Sequence, residues 1–275
     1  MKYLPVPDYH MHTPRCNHAV GDVLAYAQHA VDCGLREIGM SDHSPMPNGF
    51  DAAWRMAWAE LPDYLQEIED AKQHMQGQLT IRVGLEADFH PGTEKEVATM
   101  IETHDWDYVM GSVHYIDDWG FDNPDEVARW DAMDVADAYI AYFELVAASA
   151  ATGMFDVIGH PDLIKKFGHR VQGWHAGVDA AESLMLDAVA DTGVALEISS
   201  AGLRKPVAEI YPHERIVEKA VARGVPFAFG SDAHAPTEVG YGMDACLDVL
   251  THYGVQEIAS FKQRERRMQP IRMRS

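Results

Sequence analysis

A chain of 275 residues with 47% hydrophobic and 24% charged side chains has ordinary globular composition, and 1–275 reads as a single large domain with a sizeable core. Its formal net charge of −21 excludes broad capture of nucleic acid or anionic membrane, and a phosphorylated ligand would need bound cations to reverse the local field. Cys16, Cys33 and Cys246 are odd in number and form no Cys-x-x-Cys pair, so no disulfide framework is expected. No basic-then-apolar leader and no bilayer-length apolar run is evident either, and the expected compartment is a reducing cytoplasm.

The first β-friendly run, 5–10, closes on His10 and His12, with His18 soon after. Residues two apart on a strand share a face, so His10 and His12 present paired imidazoles. A second run, 36–41, ends in Asp42 and His43. An irregular piece from Pro45 to Trp58 follows, carrying Trp54 and Arg55, and reads as a lid or rim. The third run, 80–86, ends in Glu86, and the fourth, 107–113, leads into His114. A long loop, Ile116 to Asp131, precedes a fifth run at 155–159 that leads into His160. The sixth, 194–199, carries Glu197 and is followed by Arg204; the seventh, 226–231, leads into Asp232 and His234.

Helical stretches at 21–33, 60–76, 94–103, 132–151, 177–192 and 212–223 separate these runs, several ending at a glycine suited to a left-handed cap, such as Gly34 and Gly193. Strand–helix alternation implies parallel strands with helical crossovers, and about seven units suit a distorted TIM-like barrel better than an open doubly wound sheet. In such a barrel the C-terminal strand ends share one face. Seven histidines and at least two carboxylates then meet there, a repetition that packing does not explain. The basic tail FKQRERRMQPIRMRS reads as a solvated end pairing with acidic surface.

Imidazole and carboxylate without thiolate suit Zn, Mn or Fe, and seven imidazoles exceed the needs of one ion. Two or three divalent ions are expected, with Glu86 bridging two. Clustered cations stabilise phosphoryl charge and make hydroxide available near neutral pH, so the expected reaction is hydrolysis of a phosphate ester, or less readily of an amide.

The segments HMH, SDH, GLE, GSVH, IGHPD and GSDAH, running from Asp8 to about Gly242, together resemble the polymerase-and-histidinol-phosphatase (PHP) superfamily. Within it, DYHMHTPRCNHA, SDHSP, RMAWAELPDYLQEIEDAKQ, GLEADFHPG, GSVHYID and LEISSAGLRKP resemble the histidinol-phosphate phosphatases. The resemblance implies a distorted (β/α)7 barrel of the PHP fold with a trinuclear metal centre. It places His10, His12, Glu86 and Asp232 on one ion, Glu86, His114 and His160 on a second, and His18, His43 and His234 on a third. Asp42 would orient a ligand, and Arg204 would hold the phosphate. Arg55 and Arg15 are further candidates for substrate contact, each with a surface role as the alternative. Glu197 reads as one arm of a barrel-interior salt bridge, and Cys16 as a packing residue.

The resulting expectation is a phosphomonoesterase of histidine biosynthesis that turns L-histidinol phosphate into L-histidinol and phosphate. A hydroxide bridging metal ions attacks phosphorus, with Glu86, Asp232 and His234 as the catalytic set. Another small phosphate ester is the alternative substrate. A nuclease is disfavoured by the acidic charge, and a non-catalytic metal protein by the full ligand set with an arginine in place. The partner is a small phosphorylated molecule, with neither nucleic acid nor membrane.

Overall fold

The computed structural model describes residues 1–274; Ser275, the last residue of the basic tail, lies outside them. Six parallel strands form the central sheet. They are β1 (Glu37–Met40), β2 (Thr80–Asp88), β3 (Tyr108–Ser112), β6 (Val157–Ile158), β7 (Ala195–Ser199) and β8 (Phe227–Gly230), joined in that order. Two short strands, β4 (Tyr115–Ile116) and β5 (Trp119–Gly120), make a hairpin within the long loop.

The N-terminal run closes the gap between β8 and β1. Tyr9 N–H donates to Phe229 O at 3.0 Å on one side, and Gly39 N–H donates to Asp8 O at 2.8 Å on the other. Isolated bridges at Asp8–Ile38 and Met11–Ala233 replace the expected continuous strand. Pro5 and Pro7 bring no N–H to a ladder, so this stave is held by few hydrogen bonds. With it, seven staves curl into the distorted TIM-like barrel.

The helices α1 (Val23–Asp32), α2 (Leu61–His74), α3 (Glu94–Ile101), α4 (Val135–Ala151), α5 (Ala176–Thr192), α6 (Glu214–Ala222) and α7 (Met243–His252) cover the staves. Local chemistry sets their ends: Asp22 and Asp134 accept first-turn N–H groups of α1 and α4, and Gly193 closes α5 at φ 70. α7 was outside the expected elements. No described helix is long and apolar enough to cross a membrane.

Inside the barrel, Tyr9, Tyr108, Met110, Val157, Ala228 and Phe261 form a core of their own. Gly84 makes room for it, since a Cβ there would collide with the Tyr108 ring. Phe261 comes from the basic tail, which the sequence cast as a solvated end. The tail instead forms an antiparallel hairpin, β9 (Glu257–Lys262) with β10 (Glu265–Pro270), that plugs the N-terminal end of the barrel. Its cations do pair with acid: Arg264 Nε lies 2.5 Å from Asp156.

Candidate metal centre

At the opposite, C-terminal end, every stave but β7 delivers a side chain to one cage. Glu86, near the end of β2, is buried and lies at its centre. Its Oε1 accepts from His160 Nε2 at 3.0 Å and is 3.7 Å from His114 Nε2; its Oε2 is 2.9 Å from His43 Nδ1, 3.3 Å from His10 Nε2 and 3.6 Å from His12 Nε2. Asp232 Oδ1 lies 3.0 Å from His12 Nε2 and 3.6 Å from His10 Nε2. His18 Nε2 and His234 Nε2 face each other at 3.0 Å. All nine residues expected to bind metal are therefore together. His160 and Asp232 occupy left-handed backbone, φ 23 and 51, conformations retained where the surrounding structure holds them.

Burial would raise the Glu86 carboxyl pKa, but the surrounding imidazoles, His43 and His10 first among them, overcome it and hold Glu86 well below the usual carboxylate range. Asp232 is held low against the same desolvation by His10 and His234. Burial lowers His114, while Asp88 beside it lifts it to about 9.

The donors fit a cation. His10 Nε2, His43 Nδ1 and Glu86 Oε2 are buried and satisfy no hydrogen bond despite their proximity, as lone pairs converging on a common centre do. Triads whose ligand atoms lie within 4.8 Å of one another include His10–His12–Glu86, His43–Glu86–His114 and His12–His43–His234. His43 thus stands beside both Glu86 and His234, joining two of the expected ligand groups. Cys16, read as packing, is buried and falls within the same distance of His18 and His234.

A shell of acids orients the imidazoles. Glu197 accepts from His10 Nδ1 at 2.7 Å and from His160 N–H at 2.5 Å, so the barrel-interior partner of this carboxylate is an imidazole of the cage, and no arginine pairs with it among the described residues. Gly230 must be glycine here, since a Cβ would strike Glu197 Oε1 and His10. Asp42 accepts the His43 N–H at 2.9 Å and lies 3.5 Å from His12 Nδ1. Asp88 Oδ1 is 2.7 Å from His114 Nδ1. Asp88 was not anticipated, although strand alternation puts it on the same face as Glu86.

The cage floors a cavity of about 210 Å³ whose walls include Trp54, Arg55, Tyr115, Asp122, Lys166 and Lys205. Of the arginines singled out from sequence, Arg55 is buried in this wall, joined to Asp88 and, at 2.9 Å, to Asp51. Arg204 stands behind it: Nη2 donates to Ser231 O and Asp232 O at 2.8 and 3.1 Å, Nε lies 3.2 Å from Glu238, and Nη1 is left without a partner. Arg15 lies outside the lining and pairs with Glu67. Two lysines escaped the sequence reading. Lys166 Nζ is 2.9 Å from Asp122 Oδ2, whereas Lys205 has no carboxylate partner among the described residues. No periodicity marks such a residue; only the fold turns it inward.

The PHP domain model matches residues 8–201. The chain belongs to the PHP domain family. Among PHP relatives, a probable histidinol-phosphatase of Deinococcus radiodurans is 47% identical over 96% of this chain and 98% of its own length. The histidinol-phosphatase of Bacillus subtilis is 31% identical over 88% of this chain and 98% of its own. The crystal structure of a Lactococcus lactis histidinol phosphate phosphatase, complexed with zinc, L-histidinol and phosphate, superposes with a TM-score of 0.82 at 20% identity. It covers 95% of this chain and 98% of that one, a likeness of fold.

Proposed function

We propose that this chain is a metal-dependent phosphomonoesterase that hydrolyses L-histidinol phosphate to L-histidinol and phosphate, a step of histidine biosynthesis. The observation carrying the reaction class is the cage: nine imidazole and carboxylate side chains converge, several buried and unsatisfied, at the floor of a cavity whose wall includes Arg55, Lys166 and Lys205. The choice of ester follows the relatives, which carry that activity in their names over nearly the whole chain.

His10, His12, Glu86 and Asp232 would hold one divalent ion, Glu86, His114 and His160 a second, and His18, His43 and His234 a third, of Zn, Mn or Fe. Such ions supply Lewis acidity toward phosphoryl oxygen and lower the pKa of water. The protein's own part is to fix and charge the site. Glu197, Asp42 and Asp88 set the His10, His12 and His114 rings and free their other nitrogens for ligation. His234 Nδ1 is 3.0 Å from Asp232 O, which turns Nε2 to the cage. Lys205, in the wall, and Arg204, through its unpartnered Nη1, are the groups for phosphoryl oxygens. Trp54, Tyr115 and the carboxylates of Asp51 and Asp122 leave a wall suited to a cationic, ring-bearing alcohol. The three cysteines are free thiols, in keeping with a reducing cytoplasm.

Phosphate release from a panel of esters tests the reading. The expected result is a kcat/KM for L-histidinol phosphate at least about 100-fold above that for nucleotide and sugar monophosphates, the margin a site matching both ends of its substrate attains. A wide preference for any other ester overturns it.

A further inference from the structure

Arg55 is an unusual residue for a cavity rim. It is only 3% exposed, and the irregular segment that carries it lies between β1 and α2. A guanidinium withdrawn from water to this degree is costly unless its hydrogen bonds are met. Two of its nitrogens meet carboxylates: Nε is 2.9 Å from Asp51 Oδ2, and Nη2 pairs with Asp88 Oδ2. Asp88 is itself 1% exposed, and its other oxygen, Oδ1, lies 2.7 Å from His114 Nδ1. The opposite nitrogen of that ring, Nε2, is the one turned toward Glu86. An unbroken chain of contacts therefore runs from the rim, Asp51–Arg55–Asp88–His114, to the cage.

We infer that Arg55 is a positioning residue for the metal centre, acting through Asp88 to hold His114 in its ligating orientation and tying the rim segment to the cage. Two features select this role over direct substrate contact alone. Apart from the His114 ring, Asp88 has no other cationic side chain than Arg55 paired with it among the described residues, so Arg55 supplies the fixed positive charge beside it. Asp88 Oδ1 can serve His114 as a fixed acceptor only while Oδ2 is held, since a carboxylate free to rotate would release the ring. Removing the guanidinium leaves a buried carboxylate with the imidazole as its sole charged partner, which draws that ring away from the cage. The inference rests on His114 being a metal ligand, as proposed above.

Zinc affinity, measured by competition with a chromophoric chelator on the full chain, tests it independently of substrate and turnover. His114→Ala is the control for the underlying reading: it must lose affinity for its ion, and retained wild-type affinity there sinks the ligand assignment itself. Arg55→Met is expected to weaken that ion about 10- to 100-fold, the usual effect of removing a partner that orients a ligand. Arg55→Lys should recover part of the loss. If Arg55→Met leaves the Asp51 and Asp88 carboxylates uncompensated and folds poorly, the pair Asp88→Asn and Arg55→Met/Asp88→Asn remains readable, since the double variant buries neither member of the Arg55–Asp88 pair as an unpaired charge. Acting through Asp88 requires non-additivity: in the Asp88→Asn background, Arg55→Met should change affinity by less than about twofold. Unchanged affinity in Arg55→Met, or fully additive losses in the double variant, overturns the relay while leaving the control intact.

Discussion

Glu86 is a fully buried carboxylate, and its ionised form survives because imidazoles from four staves surround it. Replacing one oxygen by an amide removes the charge and points donor hydrogens at nitrogens that should be offering lone pairs. Glu86→Gln is therefore expected to lower bound metal and to cut phosphate release by at least about 10²–10³-fold, read by elemental analysis beside a turnover assay. Lys205 makes a contrasting case in the same cavity. It lines the wall without touching the cage, so its loss should spare the metal. Lys205→Met is expected to raise KM about tenfold, the value of one charge-assisted hydrogen bond, with metal content unchanged. An equal fall in kcat with KM constant would show that its contact forms only in the transition state.

At the scale of elements, the ends of strands were the legible part. β1, β2, β3, β7 and β8 lie within two residues of the runs read from sequence, because buried parallel strands are written as apolar runs and the cage residues are polar side chains placed where those runs stop. β6 is shorter than its run, since Gly159 is followed by His160 at φ 23, which bends the chain out of the ladder. The C-terminal hairpin was illegible for a local reason. Its two-residue turn is Gln263–Arg264, at φ 51 and 65, where Asn-Gly or Asp-Gly would have announced a hairpin, and its apolar residues are few and flanked by cations. Asp88 and Lys205 were missed because a carboxylate that serves another side chain, and a lysine turned inward by a loop, leave no spacing signature. The hairpin's role yields a prediction at this scale. Phe261 is 2% exposed and packs edge-on against Tyr9 with centroids 5.4 Å apart. Phe261→Ala opens the plug of the barrel and should cost about 3–5 kcal/mol in denaturant unfolding. It lies at the far end from the cage, so kcat per folded molecule should be unchanged.

For the whole molecule, the barrel and the cage are two solutions to one closure problem. The N-terminal stave is bound to its neighbours by scattered hydrogen bonds rather than a ladder, yet it carries His10 and His12, which approach Glu86 from β2 and Asp232 from the loop after β8. Cations held there would join the first stave to both sides of the sheet and so act as a staple across the seam that backbone bonding leaves weakest. Metal binds the native arrangement and finds no such cage in the unfolded chain, so its contribution appears directly as stability. An ion present at about 100 times its dissociation constant adds about 2.7 kcal/mol, or roughly 5–10 °C in Tm for a chain of this size. Exhaustive chelation, which strips every ion, should therefore lower Tm by at least that single-ion amount and abolish phosphate release. The apolar interior above the plug should keep the chain folded, with its far-ultraviolet dichroism intact. Returning zinc should restore both Tm and turnover. A chelated protein that keeps its full Tm while losing activity would mean the ions serve the chemistry without closing the barrel. Complete unfolding on chelation would mean the seam has no strength apart from them.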